Sequence, residues 1–157
     1  MPFYYNVDTG GAYTSHATPN TEDPTIVLRQ ATRGFDLMAM LAKGRAAAAT
    51  TISGMAISVR RWTTAGTGGT SVTPAPTRIG TTASTSAVDK QSAITAGTVS
   101  GAYVASFGFG KAGPGGWVAR DADDAVHVEA GGADELDLNS ICGEASQSFG
   151  LSARIAE

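Results

Sequence analysis

The sequence predicts an all-β protein: an antiparallel β-sandwich, jelly-roll-like, with an N-terminal arm and a long Gly/Ala/Ser/Thr-rich connection. Three observations predict it. Several short segments alternate apolar and polar residues with period two, as half-buried strands do. Gly-rich turns separate those segments at short intervals, and no helical pattern is long enough to build βαβ units. Gly, Ala, Ser and Thr supply 79 of the 157 residues, against 28 for Leu, Ile, Val and Phe. So low an apolar share suits a disordered chain, but 11 basic and 14 acidic residues leave a net charge of only −3, which disorder does not explain. The length gives room for one domain with a real core.

Residues 1–24 are polar and turn-rich (Gly10-Gly11, Pro19-Asn20, Asp23-Pro24) and read as an N-terminal arm, with a short strand at 3–7. The sandwich domain spans 25–157. Its first strand, 25–31, opens on β-branched residues and stops at Arg33-Gly34. Segment 35–42 fits helical spacing through Phe35, Met38, Leu41 and Ala42. It also alternates through Phe35, Leu37, Ala39 and Leu41, and its shortness between Gly34 and Gly44 favours a strand. The run 46–49 has the helix propensity for a single turn. Segment 51–62 is the clearest strand of the first half, with Met55, Ile57 and Val59 on one face and Gly54, Ala56, Ser58 and Arg60 on the other.

In the stretch 63–101, 28 of 39 residues are Gly, Ala, Ser or Thr. Ile79 and Ile94 are its candidate pins as brief strands. A connection of this length reads as a crossover lying over the sheet or as an arm reaching a neighbour. Strands then follow at 102–110 (Tyr103, Ala105, Phe107 and Phe109 on one face), 116–120, 125–130 (Val126 and Val128 inward), around Leu136 and Leu138, and at 148–155 with Phe149, Leu151, Ala153 and Ile155 inward.

Bulk properties exclude several functions. A mildly acidic chain lacks the basic surface that nucleic acid requires. No apolar run approaches the roughly 20 residues of a membrane span. No signal peptide is visible, and the lone Cys142 offers neither a disulfide nor a metal-ligand spacing, so folding in a cytosol-like compartment is expected. Gly108-Phe-Gly110-Lys-Ala-Gly113 matches G-x-G-x-x-G, but Pro114-Gly115-Gly116-Trp117 cannot open the helix a dinucleotide site needs. Segment 121–144 holds eight acids and no Lys or Arg; its start, Asp121-x-Asp123-Asp124, breaks at Ala125 before completing a Ca²⁺ loop, so it reads as a solvated acidic rim. His16 and His127 have no nucleophile and carboxylate at a recognisable spacing. No catalytic residue, cofactor site or metal site is therefore nominated.

The candidate interface residues are Tyr4, Tyr5, Arg60, Arg61, Trp62 and Trp117. Trp62 falls on the polar face of its strand beside two arginines. That is the composition of an interface anchor, and equally of a Trp packed under 63–101.

The second half resembles a known family. Its order is SVRRW, TTAGTGGTSVTPAPT, a low-complexity stretch, AYVASFGFG, GGWV, AVHVEAGGADELDL and SFGLSARIAE. Over roughly 25–157 this is similar to the small β-sandwich head decoration, or cement, proteins of tailed bacteriophages. The resemblance implies a structural virion protein that is made in the host cytoplasm and has no enzymatic activity. It would bind the outer surface of the major capsid protein shell as a homotrimer at local three-fold positions, and stabilise the capsid there. Segments 1–24 and 63–101 are suitable arms for such a role. The competing expectation is a tail- or fibre-associated β-sandwich binding module whose Tyr4, Tyr5, Trp62 and Trp117 stack on a host glycan. A small cytosolic enzyme is a third class, without a paired acid/base or nucleophile motif to support it.

Overall fold

Alternation along the chain becomes paired strands in a computed structural model. It describes residues 2–9, 14–16, 18–29, 32–44, 54–64, 67–85, 87–90, 98–110, 113–130, 135–144 and 147–157. Every regular element among these is a strand: β1 (Tyr4–Asp8), β2 (Thr14–His16), β3 (Asp23–Arg29), β4 (Phe35–Gly44), β5 (Met55–Thr64), β6 (Thr70–Val72), β7 (Ala75–Pro76), β8 (Ala87–Lys90), β9 (Thr98–Phe109), β10 (Pro114–Val118), β11 (Val126–Val128), β12 (Glu135–Cys142) and β13 (Gln147–Ala156). No helix among the described residues is long and apolar enough to cross a membrane.

The strands form two antiparallel sheets. Sheet A runs β10-β4-β13-β1-β7, with β11 also on β4 and β2 also on β13. Sheet B runs β6-β8-β3-β12-β5-β9. The expected antiparallel sandwich class holds. Side chains at alternate positions turn inward and form one core: Tyr5 and Val7 of β1, Phe35, Leu37 and Met40 of β4, Phe149, Leu151 and Ile155 of β13, against Ile26 and Leu28 of β3, Ile57 and Val59 of β5, and Leu136 and Leu138 of β12. Removing this much apolar surface from water is the main favourable term in folding so Gly-rich a chain.

Bulges break the simple alternation of β4 and β9. In β4, Arg154 of β13 pairs with Ala39 while Ile155 pairs with Leu37, so Met38 is an extra residue. This bulge reverses the facing of the strand. Phe35 and Leu37 point inward as expected, but beyond the bulge Met40 and Ala42 take the inner face, and Leu41 turns out to solvent. In β9, Val59 pairs with Ala105 and Arg60 with Tyr103, leaving Val104 over. Ala105, Phe107 and Phe109 pack on the core, whereas Tyr103 leaves the face it was expected to share with them and is exposed.

Residues 4–8, expected inside an arm, are a strand of sheet A between β13 and β7. The described part of 63–101 also enters the sheets. β6 pairs β8 on sheet B, β7 pairs β1 on sheet A, and the chain crosses between them twice. Ile79, expected to pin a strand, is instead the fully exposed tip of a turn. Residues 46–49 and Ile94 lie outside the described residues, as does the side chain of His16.

Between β9 and β10 the Gly113 N–H donates to Gly110 O. Here sheet B meets sheet A closely. A Cβ on Gly115 would stand 2.2 Å from Gly108 O and 2.6 Å from the Cβ of Phe109, so no other residue fits without a shift.

Candidate functional site

The strand pairings distribute the six interface candidates over three environments. Tyr5 is a core residue whose hydroxyl donates to Thr82 O at 2.8 Å. Trp117, on β10, is half-buried and packs against the core. Trp62 lies on the outer side of sheet B, as the alternation required, yet only 3% of it is exposed. Tyr5 and Trp62 are thus covered within the chain and leave the interface set. Tyr4 is half-buried on the outer face of sheet A, where the Arg154 guanidinium sits 4.7 Å from its ring centre. Arg60 and Arg61 part to opposite faces, as neighbours on a strand must.

Arg61 lies opposite Leu136 and reaches across to β11, donating from Nη2 to His127 O. His127 in turn places Nδ1 2.6 Å from Asp36 Oδ1. Arg60 lies on the outer side, opposite Asp137, and forms the hub of a polar network. Its Nη2 is 2.9 Å from Glu22 Oε2 and donates to the Tyr103 hydroxyl at 2.6 Å, and its guanidinium carbon lies 4.1 Å from the Tyr103 ring centre. Ser58 Oγ donates to Glu22 Oε1 at 2.8 Å.

β12 supplies the other half of this network. In ELDLNSIC the leucines enter the core and the acids take the opposite face. There Glu135 sits between Arg29 and Trp62, and Asp137 between Val27 and Arg60. Arg29 Nε donates to Glu135 Oε2 at 2.8 Å, closing an ion pair whose carboxylate is almost fully buried. Glu135, Asp137, Asn139 and Ser58 are all buried. The expectation of a solvated acidic rim therefore fails at Glu135 and Asp137. It holds at Asp121, Asp123 and Glu129, which are exposed.

Asp137 is the most perturbed group. Burial pushes its carboxyl up to about 8, Glu135 beside it pushes the same way, and Arg29 pulls against both. It carries a proton at neutral pH, because the cost of a buried charge exceeds what Arg29 returns. Asp137 Oδ1, Asn139 Oδ1 and Trp62 Nε1 have no hydrogen-bond partner among the described residues. Cys142, at the far end of β12, is buried, and burial pushes its thiol up to about 11, which makes it inert as a nucleophile. Asp121 Oδ1 accepts from the backbone N–H of Asp123 and Asp124, and Arg120 Nε donates to Asp124 Oδ2 at 2.6 Å, so these acids shape their own turn. Among the described residues no three metal-ligating side chains come together.

The remaining feature is a groove on the outer face of sheet A, about 400 Å³ in volume. Its floor is set by pairing across β10, β4 and β13. Leu41 stands opposite Gly116, and Val118 opposite Ala39, so two large residues occupy diagonal corners and two small ones the others. Leu41 leans over Gly116, its Cδ1 3.5 Å from where a Cβ would stand. Leu41 is 54% exposed and Val118 69%. Asn6, Asp8, Ser152 and Arg154 form the polar end. Reading 35–42 as an unbroken alternation hid this surface, since it placed Leu41 in the core. The Met38 bulge brings it out.

Comparison with protein-family models, with curated proteins and with solved structures finds no match for this chain.

Proposed function

We propose that this chain works by contact rather than catalysis. In this reading it is a structural virion protein that associates with itself, as a homotrimer, and decorates the outer surface of a tailed-phage capsid. The observation that carries the contact reading is the outer face of sheet A, where Leu41 and Val118 stand exposed over a floor of Ala39 and Gly116. Side chains of that kind gain by leaving water, and an exposed apolar patch on a sheet face is a surface on which another protein can seat. The placement on a phage head, with the major capsid protein as partner, rests on the sequence resemblance of 25–157. A jelly-roll arrangement and the use of 1–24 or 63–101 as arms rest on the same ground.

A glycan-stacking surface on a tail or fibre is the less favoured alternative. Tyr5 and Trp62 are buried, Trp117 packs on the core, and Arg154 lies over the Tyr4 ring. Co-sedimentation with expanded heads of the phage that encodes the chain, followed by a cryo-EM map of the particle, tests the proposal. Saturable binding at repeated shell positions supports it. Absence from the head, or density on the tail alone, overturns it.

A further inference from the structure

We propose that Arg60 is a two-position switch: it holds Glu22 and Tyr103 while Asp137 is protonated, and turns back to Asp137 when that carboxyl ionises, releasing Tyr103. Solution pH then sets whether an exposed aromatic at the edge of sheet B is clamped or free. The inference stands apart from the assembly proposed above.

The strand register puts the two groups in one row. Arg60 of β5 lies directly opposite Asp137 of β12, on the outer side of sheet B. Such cross-strand pairs hold their Cβ atoms about 5 Å apart, well within the reach of an arginine. On its other side Asp137 meets Val27 of β3, which is buried and offers no charge. Arg60 nevertheless bonds elsewhere. Its Nε donates to Glu22 Oε1 at 3.2 Å, and its Nη2 makes the contacts to Glu22 Oε2 and the Tyr103 hydroxyl. Asp137 Oδ1 is left buried without a hydrogen-bond partner among the described residues. A carboxyl so placed keeps its proton, because a charge there has neither water nor a donor on that oxygen to stabilise it.

Counting charges shows why ionisation would move Arg60. Among the described residues, the charged groups around Asp137 are Glu135 on its own strand, Arg29 on β3, Arg60 on β5 and Glu22 just before β3. Asp89 of β8 stands one strand beyond, opposite Val27. With Asp137 neutral, Arg29 matches Glu135 and Arg60 matches Glu22. Ionisation adds a third carboxylate to two guanidinium groups. Arg29 is held by Glu135, whose side chain is only 2% exposed and has no water to replace it. Glu22 differs, since its side chain is 24% exposed and it keeps the Ser58 hydroxyl at 2.8 Å. Water can stand in for Arg60 at Glu22 but not at Asp137, so the buried carboxylate draws the arginine. Tyr103 then loses both its hydrogen bond to Arg60 and the guanidinium 4.1 Å from its ring centre. Its ring, 54% exposed, is free to turn.

An NMR titration of the full chain through the range about pH 6 to about pH 9 tests this. It follows the Asp137 carboxyl carbon, the Arg60 guanidinium carbon and the Tyr103 ring in the parent, Asp137→Asn and Arg60→Gln, with amide spectra confirming the fold at each pH. In the parent all three signals move together, with a midpoint near 8. In Asp137→Asn the step is absent and Tyr103 stays clamped throughout. In Arg60→Gln the Asp137 carboxyl titrates about one pH unit higher, a tenfold tighter hold on its proton, because the incoming guanidinium is gone. Should Arg60→Gln fail to fold, the comparison of parent with Asp137→Asn decides. Three results overturn the proposal: an Asp137 carboxyl that shows no step in this range, one that titrates while Arg60 and Tyr103 stay still, or the same Tyr103 step in Asp137→Asn. An unshifted Asp137 midpoint in folded Arg60→Gln overturns it as well.

Discussion

Replacing Asp137 with asparagine isolates the energetic consequence of a carboxyl group that is 1% exposed. Asparagine copies the shape of the protonated side chain and carries no charge at any pH. In the parent, burial and Glu135 raise the carboxyl from 3.8 to about 8. Between those values the folded chain keeps a proton that the unfolded chain has released. Its contribution to stability is therefore complete below about pH 4 and is lost as the pH climbs through about 8. A separation of about four pH units, at about 1.4 kcal/mol each, bounds the loss at about 6 kcal/mol. Water entry and relaxation around the newly charged group cut it to about 3 kcal/mol. Urea unfolding followed by tryptophan fluorescence measures it. Near pH 5 the two proteins agree within about 1 kcal/mol, and near pH 9 the asparagine variant is the more stable by about 3 kcal/mol. Stability curves that run parallel across this range would refute the reasoning.

Three further outcomes follow from the same packing. Gly115→Val forces a Cβ into Gly108 O and Phe109 and costs about 3 kcal/mol or prevents folding, while Gly113→Ala, with open space around its Cβ, changes little in thermal melts. Arg29→Ala takes the guanidinium from the buried Glu135 carboxylate and destabilises by about 3 kcal/mol. It also removes the Arg29 charge that pulls the Asp137 carboxyl down, so the fall in stability toward alkaline pH extends to higher pH than in the parent. Cys142 resists alkylation near pH 8 in the native state and reacts only as urea opens the chain, with mass spectrometry reading the modified fraction.

The strands most legible in the sequence are those whose two faces meet different surroundings. Met55, Ile57 and Val59 of β5, and Phe149, Leu151, Ala153 and Ile155 of β13, take the inner positions that alternation assigns them. β12 hides its nature because both of its faces are buried, one among leucines and the other among arginines. Acids in such a strand look like a solvated run until Arg29 and Arg60 are known to stand opposite them. A single inserted residue defeats alternation altogether, as Met38 does to Leu41 and Val104 to Tyr103. The strands within 67–90 are two to four residues long, too short for any period to declare itself. Trp62 was placed on the right face, but sequence carries no measure of what covers that face.

The position of β13 bears on how the chain is made. Sheet A holds this strand between β4 and β1, so its middle is supplied by residues 147–156 and its flanks by residues translated far earlier. While the ribosome works through the intervening length, Tyr5, Leu37 and their neighbours wait without the strand that joins them. Sheet B meets a similar delay, since β12 separates β3 from β5. Folding of such non-local pairings is slow and leaves apolar edges open in the interim. A nascent chain of this design completes sheet A only after residues 147–156 have been made, so its earlier strands stay unjoined until the end of synthesis.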